Sequence, residues 1–154
     1  MRARLVVAAA VLAAGLRPHA AAAQGRAPGS FRIIVNAATP VASLSREQLS
    51  RMFLRKVARW DGGPPVAPVD LRDDGAGRAP SVRQAFSRAV LRRSPEMVML
   101  YWQRQIFSGR QLPPPERASE AEVVSYVRST PGAIGYVSDD ADLRGVRVVD
   151  LTND

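Results

Sequence analysis

The chain has 154 residues, no cysteine, a single histidine and a formal net charge of +8. That histidine, His19, falls within an N-terminal leader, so the rest of the chain lacks disulfides, most metal-ligand sets and every Ser-His or Cys-His nucleophile pair. The positive charge is almost all arginine, with Lys56 the one lysine, and it is scattered without the clustering or motif that binding to nucleic acid requires.

In chain order, Arg2 and Arg4 precede an apolar stretch from Leu5 to Leu16, followed by Pro18 and the run Ala20 to Ala23. This pattern predicts a Sec-type signal peptide over residues 1–23, cleaved after Ala23. The stretch is shorter than the roughly 20 residues a membrane-spanning helix needs. No cysteine follows it to carry a lipid, so the expected location is periplasmic or secreted, soluble after cleavage. Cleavage also takes Arg2, Arg4 and Arg17 out of the net charge. What remains suits one domain with a single core. Residues 24–30 read as a disordered leader and residues 31–154 as the folded α/β domain.

Phe31 to Val35 is dense in β-branched residues and stops at Asn36, which predicts a buried strand ending in a turn. Ser45 and Gln48 make a capping box, with Leu44 and Leu49 placed as a hydrophobic staple, so a helix follows with Leu49, Met52 and Phe53 toward the core. Trp60 to Pro65 is a turn, and Val66 to Leu71 is a second strand. A helix from Ser81 to Leu91 groups Val82, Phe86, Ala89 and Val90 on one face, leaving Arg83, Arg88, Arg92 and Arg93 as a solvated surface. Ser94-Pro95-Glu96 opens a third helix, with Met97, Leu100, Tyr101 and Ile106 as its apolar positions and Trp102 and Phe107 beside them. After the stiff Pro113-Pro114-Pro115 connector, Ser119 and Glu122 form another capping box for a helix through Val123, Val124 and Val127. Ala133 to Val137 and Val146 to Val149 are the remaining strands. Alternating strands and helices predict an α/β three-layer sandwich with a small mixed sheet, part of it parallel.

Between the second strand and the next helix the chain reads Arg72-Asp73-Asp74-Gly75-Ala76-Gly77-Arg78. A glycine loop running into a helix aims backbone N–H groups at one point, an arrangement suited to an anion. Catalysis has little support. Asp73 with Asp74 and Asp139 with Asp140 are adjacent pairs in loops, which read as solvated charge, and Ser43 and Ser81 have no histidine to activate them. No cofactor is implied.

Taken together, Ile34-Val35-Asn36, Leu44-Ser45-x-x-Gln48-Leu49, Met52-Phe53-Leu54-x-Lys56, Trp60-x-Gly62, Arg72 with its glycine loop, Arg83-x-x-Phe86 and Pro131-Gly132-Ala133-Ile134-Gly135-Tyr136-Val137 resemble the phosphate-type periplasmic substrate-binding proteins of ABC transporters. The resemblance spans most of residues 31–149 and implies one lobe of a type 2 periplasmic binding protein, in a chain about half the length of the two-lobed members. It implies a tetrahedral oxyanion, phosphate, as ligand and an ABC transporter permease as partner. The family's anion loop, Arg-x-x-Gly-Ser-Gly-Thr-Arg, is matched at Arg72, Gly75 and Gly77. Ala76 replaces the serine and Arg78 stands at the threonine. Ala76 removes a hydroxyl donor, whereas the Arg78 guanidinium offers a bidentate one. Asn36 and Thr39, after the first strand, are expected on the same edge, because ligands collect outside the carboxyl ends of strands. Two readings stay open. The chain is an exported solute-binding protein, its cleft completed by a homodimer or another chain, or it is a reduced homologue serving as a periplasmic interaction or accessory module without solute binding.

Overall fold

The computed structural model describes residues 30–73 and 80–152. The expected signal peptide, the leader up to residue 29, and Gly75, Ala76, Gly77 and Arg78 of the anion loop lie outside the described residues.

Strand β1, Phe31–Asn36, is the centre of the fold. Its β-branched residues are buried on both faces, as the sequence predicts. It pairs antiparallel with β6, Ala133–Ser138, on one side and with β7, Val146–Thr152, on the other. Two short strands extend the sheet in parallel: β2, Ser43–Ser45, beside β7, and β3, Ala67–Pro68, beside β6. The sheet order is β2-β7-β1-β6-β3. The expected second strand is interrupted at Val69 and continues as β4, Asp70–Leu71, which leaves the main sheet to pair in parallel with β5, Glu116–Arg117.

Alternation along β1 and β6 divides the core into two layers. Helix α4, Glu120–Ser129, packs on one face, where Val123 and Val127 approach Gly135 so closely that a Cβ there would lie 2.9 Å from Val123 Cγ1. The opposite face carries an aromatic cluster. Tyr136 stacks on Phe86 with centroids 3.9 Å apart, and Phe53 lies 4.7 Å from Phe86. These rings come from β6, from α1, Arg46–Phe53, and from α2, Val82–Phe86, so helices cover both faces of the mixed sheet. The three-layer α/β expectation holds.

The helix starts follow their local chemistry. Ser45 caps α1 with the full capping box, and Leu44 and Leu49 are both buried. Ser81 and Ser119 accept from the backbone N–H three residues on. The Glu122 carboxylate reaches back to the N–H of Ala118 rather than to that of the cap itself. The single helix expected over Ser81 to Leu91 is instead α2 followed by a wider π-helical turn over Ser87–Leu91, which brings Phe86, Ser87, Val90 and Leu91 all inside. Arg92, in the left-handed region at φ 53°, ends it. Helix α3, Pro95–Phe107, begins at the Ser94 cap as expected. Its buried residues, however, are Val98 and Trp102, while Met97, Leu100, Ile106 and Phe107 are exposed. The expected apolar face of α3 therefore points largely away from the core.

Candidate functional site

The two most distinctive stretches of the sequence meet inside the fold. The Trp60 indole donates to the carbonyl of Gly132 at 2.9 Å, and Phe53 lies 5.8 Å from Tyr136. Trp60, Phe53 and Tyr136 are buried, so these motifs build the core around β6.

The strand that leads to the glycine loop stands on a buried polar network. The Tyr136 hydroxyl donates to Asp70 Oδ1, and the Leu71 N–H donates to the same carboxylate at 3.0 Å. Arg83 reaches back from the first turn of α2 to Asp70 at 3.1 Å and to Glu116 of β5 at 2.8 Å. Its side chain is only 16% exposed, so Arg83 does not belong to the solvated surface expected of it. The acids that hold it lie 13 residues before and 33 residues after it. Burial raises the Asp70 carboxyl above its ordinary value despite the opposing pull of Arg83 and of the Tyr136 hydroxyl. Burial raises the Tyr136 hydroxyl too, with the Asp70 carboxylate adding to the effect. Burial works to lower the Arg83 value, but the two carboxylates outweigh it and keep the guanidinium charged.

Arg72 sits at the rim of this network. Its N–H is tied to the carbonyl of Arg117 at 2.9 Å, which continues the β4–β5 ladder by one residue. Its side chain is 62% exposed, with Nε 3.9 Å from a Glu116 carboxylate oxygen. Asp73 follows and accepts from the Gln84 side chain at 3.4 Å, which links the loop's start to α2. Arg72 and Asp73 thus lead into the loop from the carboxyl end of β4, and Ser81 receives it at the start of α2. Arg83 is the residue that sequence reasoning misplaced. The Arg83-x-x-Phe86 pattern singled it out, and no local signal marks its burial.

Asn36 and Thr39 lie elsewhere. Phe31 pairs with Ser138 and Val35 with Ile134, so β1 runs opposite to β6, while Ala67 pairs in parallel with Ala133. The carboxyl end of β1 therefore lies beside the start of β6, whereas the chain through Asp70 to Arg72 runs on past Tyr136 toward the other end of β6. The Asn36 amide donates to the carbonyls of Val127 at 2.9 Å and Arg128 at 3.0 Å, and its oxygen accepts from the N–H of Ala38. It acts as a clamp on the C-terminal end of α4. Thr39 is buried, its carbonyl accepts from Arg147 at 2.8 Å, and its hydroxyl has no hydrogen-bond partner among the described residues.

Among the described residues there is no group of three or more metal-ligating side chains, and no helix long and apolar enough to cross a membrane.

No family model and no curated relative matches the sequence. Solved structures do match in shape. An ABC-type phosphate transport receptor from Vibrio cholerae aligns with a TM-score of 0.55 at 17% identity, over 79% of this chain and 45% of its own. A protein assigned as a phosphate ABC transporter substrate-binding protein, from Clostridium perfringens and solved with bound phosphate, aligns with a TM-score of 0.58 at 23% identity, over 79% and 44%. PstS from Borrelia burgdorferi gives 0.56 at 16% identity, over 79% and 47%. The chain thus spans less than half the length of these receptors. In fold, it corresponds to one α/β lobe of a periplasmic binding protein.

Proposed function

We propose that the chain is an exported, non-catalytic solute-binding protein of the phosphate ABC-transporter type, which holds a tetrahedral oxyanion at the loop between Arg72 and Ser81. In this reading residues 1–23 direct export, the domain begins near Phe31, and the partner is a transporter permease. The observation that carries the reading is the likeness to phosphate receptors, one of them solved with phosphate bound. The placement of Arg72 supports it, because an exposed guanidinium on a fixed backbone beside a glycine loop offers a charged, bidentate donor to an oxyanion. Backbone N–H groups of Gly75, Ala76 and Gly77 and the Arg78 guanidinium would complete the donor set. In this reading the Asp70–Arg83–Glu116 network supports the β4–β5 ladder that fixes the Arg72 backbone, and it does not itself contact the ligand.

Calorimetric titration with phosphate at low and physiological salt tests this, with sulfate and the Arg72→Ala variant in parallel. Saturable binding that survives salt and is lost in Arg72→Ala is expected. No heat up to millimolar phosphate would overturn it.

A further inference from the structure

Helix α3 turns an apolar face to solvent. Met99 is 54% exposed, Leu100 42%, Ile106 46% and Phe107 89%. Single exposed apolar side chains are ordinary on protein surfaces, but these four are two adjacent pairs seven residues apart, which places them in one stripe two turns long. Exposed Gln103 lies midway between the pairs. Val98 and Trp102, on the opposite side, anchor the helix to the core, so the stripe belongs to a rigid element.

The apolar pattern is self-complementary, and the charges at its ends favour one direction. If a second α3 lies antiparallel with Gln103 at the crossing point, Met99 faces Phe107, Leu100 faces Ile106, and Gln103 faces its own copy. The ends match in charge as well. Glu96 stands at the start of α3, and Arg110 stands just past its end. Gly109, at φ +65°, reverses the chain, and the Arg110 N–H donates to the Gln105 carbonyl at 3.0 Å, which keeps Arg110 against the last turn of the helix. The antiparallel pairing sets Glu96 of each copy opposite Arg110 of the other. A parallel pairing would set like charges together.

We propose that α3 is a homodimerisation surface, with a second copy of this chain docked antiparallel about a two-fold axis at Gln103. A two-fold interface uses the same patch on both subunits, and only a residue on the axis meets itself.

Protein purified from cells expressing the full chain tests this by sedimentation equilibrium across a concentration series. The expected result is a concentration-dependent mass of two chains. Phe107→Glu should weaken the dimer by more than about tenfold, a change of 1.4 kcal/mol, with an unchanged circular dichroism spectrum because the side chain is outside the core. Glu96→Arg should weaken association as well, and Glu96→Arg combined with Arg110→Glu should restore it. Because the chain has no cysteine, a Gln103→Cys variant should oxidise to a disulfide-linked dimer, and an Arg88→Cys control should not. A single-chain mass at every concentration would overturn the proposal. So would a dimer indifferent to Phe107→Glu, or one that does not cross-link through Gln103→Cys.

Discussion

The carboxyl ends of β1 and β4 carry polar residues of similar promise in the sequence and use them in opposite ways. At the carboxyl end of β1, Asn36 spends both its donor and its acceptor capacity on backbone groups of α4 and of the following turn. At the carboxyl end of β4, Asp70, Arg83 and Tyr136 satisfy one another largely out of solvent, Glu116 joins them from the surface, and the Arg72 side chain stays mostly exposed beside Glu116. A polar side chain whose hydrogen bonds all go to its own fold is structural. One held by its backbone with its head group mostly exposed can serve a ligand.

The largest expected effect comes from removing the support under Arg72. Arg83→Ala leaves the Asp70 carboxylate buried without its cation, which should cost about 3 kcal/mol or more in urea-induced unfolding, as broken buried pairs do. A loss under about 1 kcal/mol would mean that the network behaves as an exposed one. The next test separates the two ends directly. Asn36→Ala should destabilise by about 1–3 kcal/mol, because two carbonyls of α4 lose their donor, and it should leave phosphate affinity unchanged. Arg72→Ala should move stability by no more than about 0.5 kcal/mol and abolish phosphate binding. Equal losses of affinity in both variants would erase the distinction between the ends. Tyr136→Phe is smaller still. It keeps the ring stacked on Phe86 and removes only the hydroxyl that donates to Asp70, so a loss of about 1 kcal/mol is expected in the same unfolding assay.

What the sequence could show follows from how far apart the interacting residues are. The caps at Ser45, Ser94 and Ser119 were readable because an N-cap bond closes over three residues. The buried stripes of α1 and α4 were readable by periodicity. Strands β2 and β5 were not, since each is two or three residues long and is defined by a partner distant in sequence. The burial of Arg83 is hidden from the sequence for the same reason. The separation of Asn36 from Arg72 depends on strand direction, which no local pattern encodes. On α3 the apolar spacing was legible, but it could not reveal which side the core would take. The resemblance supplied Arg72 and the glycine loop, and its core motifs at Trp60 and Tyr136 proved to be the residues that assemble β6 with its neighbours.

The finest test of the buried end is its response to pH. Burial raises the Asp70 carboxyl more than Arg83 and the Tyr136 hydroxyl lower it, so the folded chain holds this proton to a higher pH than the unfolded chain does. The stability contributed by the protonated form is therefore complete below the unfolded carboxylate value of about 3.9, and it is lost as pH rises through the higher folded value. Asparagine does not titrate. The stability advantage of wild type over Asp70→Asn should accordingly shrink as pH is raised from about 3 to about 6 in parallel urea titrations. An advantage that instead grows over that interval would show that pairing with Arg83 outweighs burial. In that case the network beneath Arg72 would be held by its ion pair, and the Arg83→Ala effect would be lost in an Asp70→Asn background, where no buried carboxylate remains to be left unpaired at that position.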